Sequence, residues 1–412
     1  MNSRPKIAIL YPRTQSQGGA LSVTAWMIHA LQKHYRVIMV SLDRCDAERL
    51  NHAYGTAIKT DSIEWVSLEA RHPRWAAFLV RLSMNTVDQY IMMRWAHRGF
   101  PEDVTLLSVN NEMSFGRRGL QYVNFPMLTI GRRDLARLVG QTGSWSKDFM
   151  GRVCRVVLGV RHDDLRINYT VCNSQWARAA YEEYYGEGVA AGWLYPPCTQ
   201  AGVPSHEDWC KRESGIVMLG RLVPKKRVED GLRTVQGLRD MGHDLHVHLV
   251  NSGGDASYRA QLEHDFGQSD WVHFEDNTSR ERLLELVSQH RYGMHCNHSE
   301  HFGMATAEMS GSGCLVLGHN SGGTCEILPD AAQRYNTLEE GLERLLRLHT
   351  DPELQRRLLV LNREHSRMFS AEAFQQQCLA WVGAFFEDPD TQAPIQQGTV
   401  LDPPPRLALD VA

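Results

Sequence analysis

The chain has 412 residues, of which 42% are apolar and 22% charged, a composition typical of a soluble globular protein with room for two domains. No apolar run approaches the roughly 18 residues that a membrane-spanning helix needs. The first 200 residues are net basic and the rest net acidic, but the excess is too diffuse to indicate binding to nucleic acid. The nine cysteines are scattered without a Cys-x-x-Cys pair, which predicts reduced thiols in a cytoplasmic protein.

Short apolar runs alternate with helical patterns along the chain. This alternation is typical of parallel sheets covered by helices, so the predicted fold class is α/β. The predicted strands are residues 6–11, 36–42, 104–110, 121–125, 167–173, 215–220, 245–250, 271–274, 292–297 and 314–318.

The alternation breaks around residues 195–198, and the residues from there to Pro204 favour a linker. We therefore predict two Rossmann-like domains, 1–200 and 201–370, with a cleft between them. Residues 371–388 have the pattern of an amphipathic helix. Residues 389–412 are rich in proline and glutamine and are predicted to be disordered.

A glycine pair, Gly18-Gly19, follows the first predicted strand and precedes a helix expected to begin near Ala20 or Leu21. Glycine lets the backbone approach a ligand closely, and the start of a helix favours an anion. The pair therefore fits a phosphate-binding loop, although a simple turn explains it equally well.

Two cations, Arg221 and Lys226, flank a proline-containing turn after the predicted strand 215–220. An anionic diphosphate needs such cations, and arginine adds a planar fork of donors. The alternative is a solvated basic turn, since Lys225 and Arg227 are also present.

Two carboxylates, Glu300 and Glu308, lie between the last two predicted strands. Glu300 comes just after a strand, and Glu308 lies about two turns into the next predicted helix. Ligands of open α/β sheets bind at this edge. The segment Phe302-Gly303-Met304 would expose free N–H groups suited to a phosphate. Together they indicate a phosphorylated, hydroxyl-rich ligand such as a nucleotide sugar, although two glutamates eight residues apart are common without any such role.

These blocks together resemble the donor-site signature of family 4 retaining glycosyltransferases. The resemblance rests on the Glu-x7-Glu spacing with Phe-Gly after the first glutamate, on residues 318–327 and on residues 220–226, in matching order. It implies the GT-B fold, in which two Rossmann-like domains flank a cleft and a final helix, here 371–388, crosses back to the first domain.

The resemblance also implies roles for single residues. Arg221 and Lys226 would neutralise the leaving diphosphate, with Lys226 rather than Lys225 at the matching spacing. Glu300 would bind hydroxyls of the transferred sugar, and Glu308 those of the ribose. The other donor-binding residues that it implies are Gly18, Gly19, Ser252, Gly253, Asp276, Asn277, Phe302, Gly303 and Met304.

In the mechanism that the resemblance implies, the acceptor hydroxyl attacks the anomeric carbon from the face that the diphosphate leaves. The leaving phosphate oxygen takes the proton, so no protein nucleophile, metal or cofactor is needed. The protein contributes positioning and electrostatic stabilisation.

Within the family, the chain is most similar to the mannosyltransferases that extend lipid-linked oligosaccharides with α-1,2-mannose. Residues 121–126, 171–176, 195–198 and 300–303 carry this resemblance. The chain departs from those enzymes at Asn124, where they carry a histidine near the donor sugar. Asparagine can donate and accept hydrogen bonds but cannot titrate, so the identity of the sugar stays open.

The sequence indicates the acceptor-binding residues less specifically than the donor-binding ones. The pair Arg117-Arg118 suits an acceptor phosphate, but paired arginines also suit plain solvent exposure. Residues 71–98 mix arginines with large apolar side chains. They fit either a membrane-surface segment with peripheral contact to lipid or an ordinary domain helix with a charged outer face.

Two histidine patterns and the segment Asp388-Pro389-Asp390 resemble metal-binding sequences, and none of them is predicted to bind a metal. His295, His298 and His301 need not converge along a strand end and loop. His246 and His248 alternate on a strand and are expected to be surface or packed residues.

Three functions remain open from the sequence. The first is a retaining glycosyltransferase acting on a glycan acceptor, possibly lipid-linked, and the second is the same chemistry on a soluble small molecule. The third is a nucleotide-sugar isomerase of GT-B fold or a non-catalytic binder.

Overall fold

The computed structural model describes residues 4–15, 18–71, 85–126, 156, 163–276 and 278–395. They form two compact units: the first holds the described residues up to Pro197 and those from Ala371 onward, and the second holds Cys198–Ser370. The strands are β1 Lys6–Leu10, β2 Arg36–Ser41, β3 Ile63–Ser67, β4 Val104–Ser108, β5 Leu120–Val123, β6 Tyr169–Cys172, β7 Ala190–Trp193, β8 Glu213–Leu222, β9 His246–Gly254, β10 Val272–Asp276, β11 His290–His295, β12 Leu315–His319 and β13 Arg334–Tyr335.

The α-helices are α1 Gly19–Leu31, α2 Ala47–Tyr54, α3 Leu68–Arg71, α4 Asn85–Gly99, α5 Asp163–Arg166, α6 Gln175–Tyr185, α7 His206–Trp209, α8 Val228–Asp240, α9 Ala256–Phe266, α10 Arg280–Gln289, α11 Met304–Gly311, α12 Thr324–Ile327, α13 Leu338–Thr350, α14 Pro352–His365 and α15 Ala371–Glu387. Short 3₁₀ turns occur at Thr60–Ser62, Pro224–Lys226, Ala331–Gln333 and Ser366–Phe369.

The first unit is built on a seven-stranded sheet in the order β3-β2-β1-β4-β5-β6-β7. Every strand pair in it is parallel. The interior strand β1 pairs with β2 and β4 and is buried from Ile7 to Leu10, because both faces of a parallel sheet are covered. All the strands therefore end along one edge.

The last helix, α15, completes the core of the first unit. Its apolar residues recur at helical spacing and form one buried stripe, Phe374, Cys378, Trp381, Val382 and Phe385. The stripe packs in one cluster with side chains of α1 and β1. Burying each large apolar side chain contributes roughly 1.5–3 kcal/mol. The chain thus returns to the first unit after completing the second.

Residues 389–395, which we expected to belong to a disordered tail, are held on the first unit. Tyr169 donates its hydroxyl hydrogen to the Ala393 carbonyl oxygen at 2.8 Å, and the Ile395 N–H donates to the Ala191 carbonyl oxygen at 3.0 Å. The Ile395 side chain packs against the core. Composition did not indicate this, because the contacts are mostly through backbone groups. The rest of the predicted tail lies outside the described residues.

The second unit is built on a six-stranded sheet in the order β10-β9-β8-β11-β12-β13, again with every pair parallel. Along β9, Val247 and Leu249 enter the main core, packed beneath α8 and α13. His246 and His248 point to the other face, because side chains alternate along a strand. The strands β8 and β11 are neighbours, so the loops that follow them begin side by side.

Three strands were not predicted, and each is a weak pattern. In β3, Glu64 is exposed and interrupts the apolar run, as an edge strand allows. β7 consists of Ala-Ala-Gly-Trp, whose small residues favour no strand. β13 contains two residues.

The described part of the segment 71–98 is a domain helix over most of its length. In α4, Met92 and Met93 are buried in the first unit, whereas Arg94 and Arg98 are exposed. Residues 72–84 lie outside the described residues. Among the helices that the structure describes, none combines the length and the apolar character needed to cross a membrane.

Candidate functional site

The candidate site of the second unit lies where β8 and β11 end. β8 runs into the 3₁₀ turn Pro224–Lys226, and β11 runs into the loop that carries Glu300. The Lys226 Nζ atom lies 2.5 Å from Glu300 Oε2. The Asn297 side-chain amide donates to the same oxygen at 2.6 Å. Two residues 74 positions apart thus meet because their strands are neighbours.

The backbone around Glu300 is fixed by the loop that follows β12. The Gly323 N–H donates to the Glu300 carbonyl oxygen at 2.7 Å, and the Ser299 N–H donates to Ser321 Oγ at 2.8 Å. Gly322 has φ +68°, and a Cβ placed on it would lie 2.3 Å from the Glu300 carbonyl oxygen. This position therefore requires glycine, both for its backbone conformation and for space.

The carboxylate of Glu300 is charged despite its burial. Burial alone raises the pKa of Glu300, but the charge of Lys226 and its hydrogen bond to the carboxylate outweigh it and hold the pKa well below its usual range. Burial, together with the charge of Lys226, lowers the pKa of His295 to about 4. His301 is likewise held neutral by burial, with a pKa of about 4.

His295 lies at the candidate donor site, although the sequence does not predict it there. It is 4% exposed, and within the described residues neither ring nitrogen makes a hydrogen bond. Its Nε2 lies 3.5 Å from Glu300 Oε2, and it lines a small pocket with Gly220, Arg221 and Lys226. Its position as the last residue of β11 was the signal that could have found it, because ligands bind beyond the strand ends.

Arg221 and Lys225 complete the basic turn. Arg221 is exposed and lines the pocket, just after Gly220, whose φ is +141°. The Arg221 carbonyl oxygen accepts from the Val223 N–H, but within the part of the chain that the structure describes its side chain makes no hydrogen bond or ion pair. Its guanidinium is therefore available to a ligand. Lys225 is half-buried, and burial lowers its pKa.

The start of α11 offers backbone donors next to Glu300. Gly303 precedes the helix with φ +107° and places no side chain over its first turn. The first N–H groups of a helix have no intrahelical acceptor, and these include those of Met304 and Ala305. Phe302 is buried against Phe369, with ring centroids 5.5 Å apart. The turn is thus anchored from within the unit, and its N–H groups suit an anion.

Glu308 is held by a residue that the sequence did not indicate. The Arg280 guanidinium lies 3.0 Å from Glu308 Oε1, and the Glu308 side chain is 14% exposed. Arg280 is the first residue of α10, directly after Ser279, whose hydroxyl caps that helix. In the sequence, only the helix-capping Ser279 indicates where Arg280 lies. Glu300 and Glu308 therefore have separate cationic partners.

The predicted nucleotide contacts at the ends of β9 and β10 are partly engaged with one another. The Gly253 N–H donates to the Asn251 side chain at 2.8 Å, next to the exposed Ser252. The Arg259 guanidinium donates to both oxygens of Asp276. Asn277 lies outside the described residues.

Gly18, Gly19 and Asn124 lie beyond the carboxyl ends of strands in the first unit. Gly18 immediately precedes α1, which begins at Gly19, one residue before the predicted start, and no side chain caps it. Asn124 follows β5, and its side-chain amide donates to the Val109 carbonyl oxygen at 3.1 Å. These placements fit the predicted roles, which stay predictions.

Arg117 and Arg118 lie at the opposite edge of that sheet, before β5 begins, and their contacts oppose the predicted acceptor-binding role. The Arg117 guanidinium donates to the carbonyl oxygens of Pro101 and Val104, each at 2.8 Å. The Arg118 guanidinium donates to the Thr391 carbonyl oxygen. Both side chains bind backbone carbonyl oxygens of the same unit. The sequence alone does not distinguish such arginines from arginines that bind a ligand.

Comparison with known sequences supports the predicted resemblance to glycosyltransferases. Residues 207–358 match the profile described as glycosyl transferases group 1. A Mus musculus protein named GDP-Man:Man(3)GlcNAc(2)-PP-Dol alpha-1,2-mannosyltransferase is 27% identical over 165 residues, which are 37% of this chain and 34% of that protein. The Eremothecium gossypii protein of the same name is 20% identical over 324 residues, 70% of this chain and 54% of that protein. The matches thus span about a third to a half of these relatives, and the predicted resemblance is confirmed.

Comparison with solved structures covers nearly the whole chain. Anabaena HepE, solved in complex with UDP and glucose, matches 93% of this chain and all of its own with a TM-score of 0.62 and 13% identity. Sucrose-phosphate synthase from Thermosynechococcus elongatus matches 94% of this chain and 99% of its own with a TM-score of 0.64 and 14% identity. The predicted GT-B fold is confirmed.

Proposed function

We propose that this chain, whose residues 207–358 carry a group 1 glycosyl transferase domain, is a retaining glycosyltransferase that uses a nucleotide diphosphate sugar. The observation that carries the proposal is the Lys226–Glu300 ion pair, 2.5 Å long, beside the uncapped start of α11. A cation, free N–H groups and a charged carboxylate then lie together at the ligand-binding edge of a parallel sheet.

The donor diphosphate is bound by cations and backbone donors. Arg221 supplies an exposed guanidinium without an internal ion-pair partner among the described residues, and an arginine can hold a phosphate through two parallel hydrogen bonds. Lys226 has three donor hydrogens, so it can keep Glu300 and also contact the diphosphate. The N–H groups of Met304 and Ala305 add donors without any net charge.

The two glutamates bind different parts of the remaining donor molecule. Glu300 accepts hydrogen bonds from hydroxyls of the transferred sugar, and its low pKa keeps it an acceptor at neutral pH. Glu308 accepts from the ribose hydroxyls while Arg280 holds its orientation. His295, buried and without a hydrogen bond among the described residues, gains a partner when the sugar binds.

The reaction needs no nucleophile from the protein. The acceptor hydroxyl oxygen forms a bond to the anomeric carbon as the bond from that carbon to the diphosphate oxygen breaks, on the same face of the sugar. The hydroxyl proton passes to the departing phosphate oxygen. Arg221 and Lys226 stabilise the charge that builds on that oxygen, which is the main electrostatic contribution.

The first donor to test is GDP-mannose, because the curated relatives are named for it. Their named acceptor is a dolichol-linked oligosaccharide, so we propose a glycan acceptor, lipid-linked, for a cytoplasmic enzyme in peripheral contact with a membrane. The support for that contact is the sequence of residues 71–98, which mixes arginines with Trp75, Phe78 and Trp95, although its described part packs as a domain helix. A soluble acceptor is the second candidate. Because Asn124 replaces a histidine that lies near the donor sugar in those enzymes, it bears on the choice of sugar and not on the acceptor.

The experiment is a panel of nucleotide sugars, with and without glycan acceptors, in which release of nucleotide diphosphate and the anomeric configuration of the product are measured. We expect acceptor-dependent release with retention. Inversion contradicts the mechanism, and conversion of the donor without release favours the isomerase. A donor that raises the melting temperature but is never turned over indicates a binding protein, since ligand at 100 times its Kd adds about 2.7 kcal/mol.

A further inference from the structure

Three histidines converge at the end of the second sheet that lies opposite to Glu300. His246 and His248 come from the start of β9, and His290 is the first residue of β11. One ligating atom of each side chain lies within 4.8 Å of the others. Because β8 separates β9 from β11, side chains from both must reach across it.

A glycine makes this reach possible. Gly215 of β8 pairs with His246 in the sheet register. A Cβ placed on Gly215 would lie 2.3 Å from His246 Nε2 and 2.3 Å from His290 Cδ2. The missing side chain is thus the space in which the two imidazoles meet.

Hydrogen bonds orient two of the rings. His290 Nδ1 lies 2.6 Å from the Leu286 carbonyl oxygen. A carbonyl only accepts, so Nδ1 carries the hydrogen and Nε2 keeps its lone pair when the ring is neutral. His248 Nδ1 lies 2.8 Å from Glu275 Oε1, which fixes its tautomer in the same way. A carbonyl or carboxylate behind each ring is the usual arrangement around metal-binding histidines.

The spacing of the ring nitrogens suits a small cation. His290 Nε2 accepts a hydrogen bond from His246 Nε2–H, so His246 would carry its hydrogen on Nδ1 when an ion binds. His246 Nε2 and His290 Nε2 are 3.0 Å apart, whereas two nitrogens bound to tetrahedral Zn²⁺ at about 2.0–2.1 Å are separated by about 3.3 Å. Glu213 Oε2 lies 3.5 Å from His246 Nε2 and 3.9 Å from His290 Nε2. A small adjustment would bring a carboxylate oxygen to the same centre.

A metal binds the neutral imidazole, and the buried surroundings of the three rings favour that form. Burial lowers the pKa of His246 to about 4, and it lowers those of His248 and His290. The charged groups that face the cluster are Glu213, Glu275 and Arg282, which lies 3.9 Å from Glu275. His273, whose ring is 4.7 Å from that of His248, stands next to the cluster.

We propose that His246, His248 and His290 bind a divalent transition metal such as Zn²⁺, with Glu213 as the fourth ligand. A bound ion would link β8, β9 and β11 at their amino ends. The reaction proposed above takes place at their carboxyl ends, so the ion would stabilise the unit rather than take part in that reaction.

The test is a titration of protein without an affinity tag, stripped of metal, with Zn²⁺ in competition with a chromophoric chelator. We expect one tight site. His246→Gln and His248→Gln should each weaken it by about 100-fold or more, and Glu275→Gln, which acts through His248, by roughly 10- to 100-fold. His264→Gln is the matched control, because His264 is exposed and hydrogen-bonds only its neighbour Asp265 among the described residues. Absence of a tight site, or equal binding by His246→Gln, overturns the proposal.

A spectroscopic test covers the case in which the variants do not fold. Cys210 and His206 lie 3.6 Å apart on the surface and are the competing metal ligands. Co²⁺ bound to imidazole and carboxylate should give visible bands without a thiolate-to-metal charge-transfer band, unchanged in Cys210→Ser. A charge-transfer band that disappears in Cys210→Ser overturns the proposal.

Discussion

Lys226 and Glu300 meet with 23% and 18% of their side chains exposed, one from the turn after β8 and the other from the loop after β11. Removing one partner of a charge pair that is this well buried costs roughly 2–5 kcal/mol. Lys226→Ala should therefore lower turnover at least about tenfold. Arg221→Ala should do the same, because it removes a cation that stabilises the charge on the departing diphosphate. Lys225→Ala, the matched control from the same turn, should be mild. The measurement is the steady-state rate of nucleotide diphosphate release, and a silent Lys226→Ala beside a damaging Lys225→Ala would show that the assignment is off by one residue.

The separate partners of Glu300 and Glu308 predict separate effects. Glu308→Ala should weaken binding of the free nucleotide diphosphate, because the acceptor for the ribose hydroxyls is lost. Glu300→Gln should leave that affinity nearly unchanged and lower turnover, since the free diphosphate has no sugar. Calorimetry with the free diphosphate measures the difference, and equal losses of affinity in the two variants would refute the division.

Gly322 predicts a stability effect with a matched control. Gly322→Ala places a methyl group against the Glu300 carbonyl oxygen, at φ +68°, whereas Gly242→Ala meets nothing within 4 Å at φ +92°. The control therefore isolates the backbone cost, about 1–2 kcal/mol. We expect Gly322→Ala to lose roughly 1–3 kcal/mol more through overpacking and to lose activity. Urea denaturation compares them, and equal stability of both variants would contradict the contact.

His295 predicts how stability depends on pH. Its pKa falls from 6.5 to about 4 on folding, so between these values the unfolded chain holds a proton that the folded chain does not. The free energy of unfolding is therefore highest above about pH 6.5, where the ring is neutral in both states. It falls by roughly 3 kcal/mol as the pH falls toward 4. His295→Asn should flatten the fall of unfolding free energy across this window. An unchanged slope would mean that the imidazole is charged in the folded protein.

Asn124 is the predicted determinant of sugar choice. Asn124→Ala should lower turnover without unfolding the protein, because its amide makes one backbone contact, to Val109, and is otherwise expected to face the sugar. Asn124→His should change the ranking of donors in the nucleotide-sugar panel. Unchanged turnover and ranking in both variants, with melting temperatures like that of the wild type, would remove Asn124 from the site.

The parts of the fold that the sequence predicted are those with strong local patterns. Isoleucine- and valine-rich runs such as β1 and β2 are buried on both faces, and the stripe from Phe374 to Phe385 has helical spacing. The pairing of Lys226 with Glu300 depends on which strands are neighbours, and the pairing of Arg280 with Glu308 depends on helix packing. Neither follows from local pattern. The contacts of Arg117 show the same limit, because an arginine bound to backbone carbonyls and one bound to phosphate look alike in sequence.

The position of α15 in the first unit sets an order for folding during synthesis. Residues 198–370 are contiguous, so the second unit can fold as soon as they have left the ribosome. The first unit, although most of it is made earlier, lacks Phe374, Trp381 and Phe385 from its core until the end of the chain emerges. A released chain truncated after Ser370 should therefore hold a protease-resistant second unit next to a first unit that is still open to cleavage.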